Sequence, residues 1–146
     1  MRRRVHPDVA RLPRCGPVAT LQDRTRGDPW RCLVVCVLLN RTRGTVAEPI
    51  LWEYLARFPT ARVAASASRV EVEDLLRPLG LSRTRSGTLA GLAEAFASGG
   101  TVDPSSVRGV GRYALDAWAI FVEGRRDVEP SDRVLVAHLA SIAGCR

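Results

Sequence analysis

The chain contains no lysine: all 22 of its basic side chains are arginine. No lysine amine is therefore available to condense with a carbonyl as a Schiff base. The chain also lacks any run of about 18 apolar residues, the length a membrane-spanning helix needs, so no membrane segment is expected. Met1-Arg2-Arg3-Arg4 has the charge of a signal sequence, but His6, Pro7 and Asp8 stand where its apolar stretch would be. Secretion is not expected; a cytoplasmic, nucleoid-associated or nuclear location is. Cysteine is scarce, with four residues, Cys15, Cys32, Cys36 and Cys145. Their spacing does not suit an iron–sulfur cluster. Cys32 and Cys36 share a helix face, but no second close pair completes a zinc site. Both lie in the apolar stretch WRCLVVCVLL and read as buried free thiols, so no metal, no cluster and no disulfide is expected. There is no internal repeat and no low-complexity block, and the alternation that marks strands is nearly absent.

What is present is a globular balance, 46% apolar and 25% charged, with a formal net charge of +7 and a pI near 10.5. Such charge favours polyanionic partners, nucleic acid first, although a basic surface can serve solubility alone. Residues 1–17 are rich in Arg and Pro and read as an arm; residues 18–146 read as the folded domain. A first helix is expected over Ala19–Arg24. Asp28-Pro29 then reads as an N-cap with proline at the first helical position, opening a helix to Arg41 that is apolar on nearly every side and so central and buried. Thr45 opens the next, with Ile50, Leu51, Tyr54, Leu55 and Phe58 on one stripe, and Pro59 ends it. Short helices follow over Ala61–Ala65 and from a Ser68 cap, with Glu71 three residues on, to Pro78-Leu79-Gly80. Ser82–Ala97 and Gly111–Val122 are amphipathic, and a last helix begins near Ser131. The class is all-α, two small helical lobes around a cleft.

Two features carry chemistry. The first is Val107-Arg108-Gly109-Val110-Gly111, followed at once by a helix. Two glycines around one apolar residue allow a tight turn, with positive φ available at both ends. They also let backbone N–H groups approach an anion where the helix N-terminus already favours one. Val110 is expected to anchor the turn in the core, and Arg108 and Arg112 add charge. Such a hairpin grips a phosphodiester backbone without reading sequence, and its carbonyls can hold a monovalent cation. On its own it also fits an ordinary helix–turn–helix with glycine caps. The second feature is Val128-Glu129-Pro130-Ser131-Asp132, in which Asp132 enters the first turn of the last helix. An aspartate there is most often a cap.

Hairpin, apolar helix, Pro-containing loop and Asp occur in the order used by the helix-hairpin-helix base-excision glycosylases, and the chain resembles that superfamily (HhH-GPD). The resemblance narrows to the branch that excises thymine from G·T mispairs and carries a methyl-CpG-binding domain, for which this chain leaves no room. It covers roughly residues 19–140 and is carried by LQDRTRGDPWRCLVVCVLLNRTRG (21–44), PILWEYLARFPTA (49–61), LLRPLGL (75–81), VRGVGRYALDAW (107–118) and VEPSDRVL (128–135). LLNRTRG and LLRPLGL are far more specific than the hairpin glycines.

The resemblance implies Asp132 as the catalytic acid and Tyr113 as the pocket tyrosine standing where lyase members keep lysine. It implies Gln22 as the amide that recognises an extruded pyrimidine. Arg41 would enter the gap left by the flipped nucleotide, and Leu81 would be the wedge beside the widowed guanine. With Arg108, Gly109, Val110, Gly111 and Arg112 on the DNA backbone, the implied activity is a monofunctional DNA glycosylase. It would act as a monomer on double-stranded DNA carrying a G·T or G·U mispair, without a cofactor. Two positions depart from the pattern: Arg133 stands in place of histidine and Arg112 in place of lysine, which puts the exact base preference in doubt. Open alternatives are a same-fold glycosylase for another base and a non-catalytic DNA-binding module. Each residue also has a bland reading: Leu81 as a helix-capping hydrophobe, Tyr113 as a core aromatic, Gln22 as a surface residue, Arg41 as a helix-end cation. His138 is expected at the surface or an interface, and His6 in the arm.

Overall fold

The computed structural model describes residues 20–25 and 27–143. The arm, His6, Cys15 and Cys145 lie outside the described residues. Among the described residues eight α-helices follow one another: α1 (Leu21–Arg24), α2 (Pro29–Leu39), α3 (Gly44–Arg57), α4 (Ala61–Ala65), α5 (Arg69–Leu76), α6 (Ser82–Ala97), α7 (Arg112–Phe121) and α8 (Arg133–Ala143). Short 3₁₀ turns cover Arg77–Leu79 and Pro104–Ser106. There is no strand among the described residues, and the all-α expectation holds.

α2 is the axis of the core. Trp30 and every residue from Cys32 to Leu38 are buried, because an apolar helix has no face to give to water. α6 and α7 pack along it, with α3 on a further side, and α4 and α5 close over α6. Each Val or Leu buried there contributes roughly 1.5–3 kcal/mol. The cap readings hold in part. Asp28 accepts from the Arg31 N–H at 3.1 Å with Pro29 behind it. At Ser68 the expected capping box with Glu71 does not form, for the Ser68 side chain makes no cap hydrogen bond.

Several boundaries move: α1 starts at Leu21 rather than Ala19, and α3 at Gly44 rather than Thr45. α2 stops at Leu39 rather than Arg41, because Asn40 leaves the helical region at ψ 115° and Arg41 follows with a left-handed backbone, φ 57°. α8 starts at Arg133, with Asp132 just outside it. α7 runs Arg112–Phe121, one residue shorter at each end. His138 corrects an expectation: it is buried rather than at the surface. Three residues after Leu135 on α8, it falls on the inward face. It lies against the Phe121 ring at 4.6 Å between centroids, with Nδ1 3.8 Å from Asp23 Oδ2, and so fastens α8 to α7 and α1.

Candidate active site

α1 is a single turn, and a capping box fixes it. The Thr20 hydroxyl accepts from the Asp23 N–H, and the Asp23 carboxylate accepts from the Thr20 N–H at 2.9 Å. That turn carries Gln22 inward until it is 1% exposed, which excludes the surface reading. Its amide nitrogen donates to Tyr113 Oη at 2.8 Å and to Cys36 Sγ at 3.7 Å. Its amide oxygen has no hydrogen-bond partner among the described residues. Three helices thus meet at one amide: α1 through Gln22, α2 through Cys36 and α7 through Tyr113.

Burial, reinforced by Cys36 and Asp132, lifts the Tyr113 phenol well above its ordinary pKa, while the hydrogen bond from Gln22 works the other way. Tyr113 therefore stays neutral. Hydrogen bonding with Cys32, then burial, pushes the Cys36 thiol well above its usual value, so it too remains protonated. Cys32 and Cys36 are buried and free, as expected. A cavity of about 90 Å³ opens beside Gln22, bounded by Asp28, Cys32 and Phe121 among others; Tyr113 and Asp132 do not line it.

Asp132 caps α8. Its Oδ1 accepts from the N–H groups of Val134 at 3.0 Å and Leu135 at 3.1 Å. Oδ2 has no hydrogen-bond partner among the described residues. The carboxylate is half-buried and close enough for its charge to act on both Tyr113 and Cys36. The cap fixes where one oxygen sits, and geometry then fixes the other.

The hairpin sits on α6. Gly109 has φ 94°, and a Cβ there would lie 2.1 Å from Thr88 Oγ1, so the close approach requires glycine. Gly111 does not share that demand. Positive φ was available at both glycines; Gly111 is instead extended, φ −101°, with open space where a Cβ would stand. It is the N-cap of α7, with no side-chain cap bond, so the first N–H groups of α7 lack helical acceptors. The Val110 N–H closes the turn on the Val107 carbonyl at 3.2 Å, and Val110 packs against the core as expected. Arg108 and Arg112 are exposed at its edge. Arg112 also reaches the Glu129 carbonyl at 3.1 Å, tying the hairpin to the loop that leads to Asp132.

Arg41 and Leu81 are exposed, and they are the two non-glycine residues with positive φ among the described residues, at 57° and 51°. Such backbone is costly for a branched side chain. Leu81 is 59% exposed and stands at the N-cap of α6 without a side-chain cap hydrogen bond, a position that also fits the helix-capping reading. Sequence reasoning missed Arg85, whose buried guanidinium binds the turn around Arg41, and Thr88, which receives Gly109. Both lie on the inward stripe of α6 with Leu89 and Leu92. A charge on an otherwise apolar stripe was the available signal.

The all-helical fold of the described residues is consistent with that of the helix-hairpin-helix glycosylases. Comparison with known proteins gives the same direction. The chain is 35% identical over 130 residues to a methyl-CpG-binding domain protein 4-like protein of Arabidopsis thaliana, covering 88% of this chain and 29% of that protein. It is 38% identical over 71 residues to a thymine-DNA glycosylase of Aeropyrum pernix, and 37% identical over 71 residues to a thymine/uracil-DNA glycosylase of Pyrobaculum aerophilum. Each of these two matches covers 49% of this chain, with 32% and 31% of the respective relatives. No family model matches. The chain thus has a glycosylase-domain relationship with these proteins, and it spans less than a third of the length of each.

Proposed function

We propose that the chain is a monofunctional DNA glycosylase that excises thymine or uracil mispaired with guanine. The observation that carries this reading is the buried Gln22–Tyr113–Cys36 cluster with the capped Asp132 carboxylate beside it. Both protons of the Gln22 amide are engaged, which leaves its oxygen as an acceptor. Thymine and uracil offer an N3–H donor on the edge that an acceptor would read; cytosine presents an acceptor at N3 and has its donor at N4 instead. A base that left the acceptor unpaired would lose affinity. Tyr113, neutral and accepting from Gln22, keeps its own O–H to donate.

In the reaction, the bond from C1′ to the base nitrogen breaks and its electron pair leaves with the base. The sugar gains oxocarbenium character, which the Asp132 carboxylate stabilises. Water adds its oxygen to C1′ and passes a proton to the same carboxylate. Lyase members use a lysine amine at C1′, and this chain has none. Arg41 and Leu81 would fill the space of the extruded nucleotide, offsetting its unstacking cost of a few kcal/mol. The open N-terminus of α7 and the exposed Arg108 and Arg112 would hold the backbone.

The test is base release from duplexes carrying one G·T or one G·U mispair, scored by strand scission with and without alkali. Scission only after alkali is expected. Scission without it would contradict the monofunctional mechanism. No product from either duplex, with binding intact, would replace the reading by another base or by a non-catalytic binding module.

A further inference from the structure

Arg85 has a place in the structure that calls for explanation. Its side chain is buried, 6% exposed, although arginine is seldom buried unless paired. Burial lowers its pKa, and no carboxylate accompanies it in its hydrogen bonds. Instead Nη2 donates to the Asn40 carbonyl at 2.6 Å and to Thr42 Oγ1 at 2.8 Å, and Nη1 donates to the Leu38 carbonyl at 3.4 Å. These acceptors flank Arg41 on both sides. The Arg85 backbone N–H donates to the Leu81 carbonyl at 2.8 Å. One residue therefore holds the turn of Arg41 by its side chain and closes the first turn after Leu81 by its main chain.

Those two turns contain the two left-handed non-glycine residues among the described residues. Left-handed backbone at such residues persists only where the surroundings fix it. The Leu38 and Asn40 carbonyls are among the end carbonyls of α2 that a cap would satisfy, but Thr42 Oγ1 lies beyond the helix end. Three acceptors spread over Leu38–Thr42, with Leu81 on the same residue, make a brace between turns rather than a cap.

We propose that Arg85 is a positioning residue that couples the Arg41 and Leu81 turns into one rigid pair, so that both side chains enter the duplex together. This rests on the reading of Arg41 and Leu81 as insertion residues. Two side chains on a shared rigid support behave as linked binding groups: once one is seated, the other is already at its site. The ordering is completed before DNA is met, which removes its cost from the binding step.

The experiment compares Arg85→Met, Arg85→Lys and Leu81→Ala with the double variant Arg85→Met/Leu81→Ala. Three readouts are taken: single-turnover base release, fluorescence of 2-aminopurine beside a G·U mispair, and amide exchange at residues 40–42 and 81–85. Arg85→Met should slow base release and the fluorescence rise by about tenfold in the parent, and by much less in Leu81→Ala, since an absent wedge cannot be positioned. Arg85→Lys, which keeps a donor, should recover part of the loss. Exchange should quicken at both turns in Arg85→Met.

Equal losses in both backgrounds, or faster exchange at 40–42 alone, would overturn the proposal in favour of a simple cap. If the unmodified chain releases no base, the excision reading fails by itself, and exchange at the two turns still decides the coupling. Should Arg85→Met not fold, Thr42→Val removes one acceptor of the same brace and gives the same comparison at smaller amplitude.

Discussion

On the proposed reading, Asp132 serves two functions with one side chain, and a pair of substitutions separates them. Oδ1 caps α8 through two N–H groups, while Oδ2 remains to face a cationic sugar. Asparagine caps a helix about as well as aspartate but carries no charge. Asp132→Asn should therefore leave denaturant stability within about 0.5 kcal/mol and lower single-turnover base release by at least about 100-fold. Asp132→Ala should lose the same activity and also about 0.5–2 kcal/mol of stability. Base release that survives in Asp132→Asn would remove the carboxylate from the mechanism. At this scale the sequence was readable wherever a residue announces itself by local pattern. Asp132 follows a Pro-containing loop; Tyr113, two residues past the second hairpin glycine, was named by the resemblance. Gln22 depended on the resemblance. Its partner Cys36 was read as a buried thiol, and nothing local says that a thiol 14 positions away will accept from an amide. His138 sits at helical spacing from Leu135, so its burial was legible but was outweighed by its polarity.

Helices were the most legible elements, because the periods that make them are local. Ser82–Ala97 coincides with its expected bounds, and α2 was readable as central from its unbroken apolar run. Ends were less legible, since a left-handed Arg41 or Leu81 is imposed by contacts from elsewhere in the chain. The hairpin shows the same division between its two glycines. Gly109 is required by the fold: its φ of 94° and the approach of Thr88 leave no room for a methyl group. Gly109→Ala should destabilise the protein by roughly 1–3 kcal/mol, and Thr88→Ala should restore part of that. Gly111 has ordinary backbone and open space around it, so Gly111→Ala should keep unfolding free energy within about 0.5 kcal/mol. It should still weaken duplex binding, because the added methyl stands at the α7 N-terminus where a phosphate would approach. Urea melts and fluorescence-anisotropy titrations on one duplex separate the two. A Gly111→Ala protein with unchanged DNA affinity would show that the hairpin is only a turn.

At the scale of the whole molecule, the described residues form an all-helical body wrapped on α2, and its class could be read from what the sequence lacks. What could not be read is which turns meet. Arg85 finds Asn40 across 45 positions, a pairing that only the packing of α6 on α2 creates. That packing also buries groups whose ionisation governs alkaline stability. Tyr54 is pushed by burial to a pKa of about 12, and Tyr113 is raised as well. Unfolded tyrosine ionises near pH 10. Below that, both states hold the proton and pH has no effect through these groups. Above it, the unfolded chain releases protons the native state retains, and stability falls by about 1.4 kcal/mol per pH unit for each tyrosine. Cys36, raised likewise, adds the same slope from about pH 8.5. With no lysine in the chain, few other groups titrate in this window. Urea melts from pH 8 to 12 should show a gentle decline that roughly triples in slope above pH 10. Tyr54→Phe should remove about a third of the steeper part. An unchanged slope in that variant would mean that Tyr54 ionises freely in the native state and that α2 and α3 do not close around it.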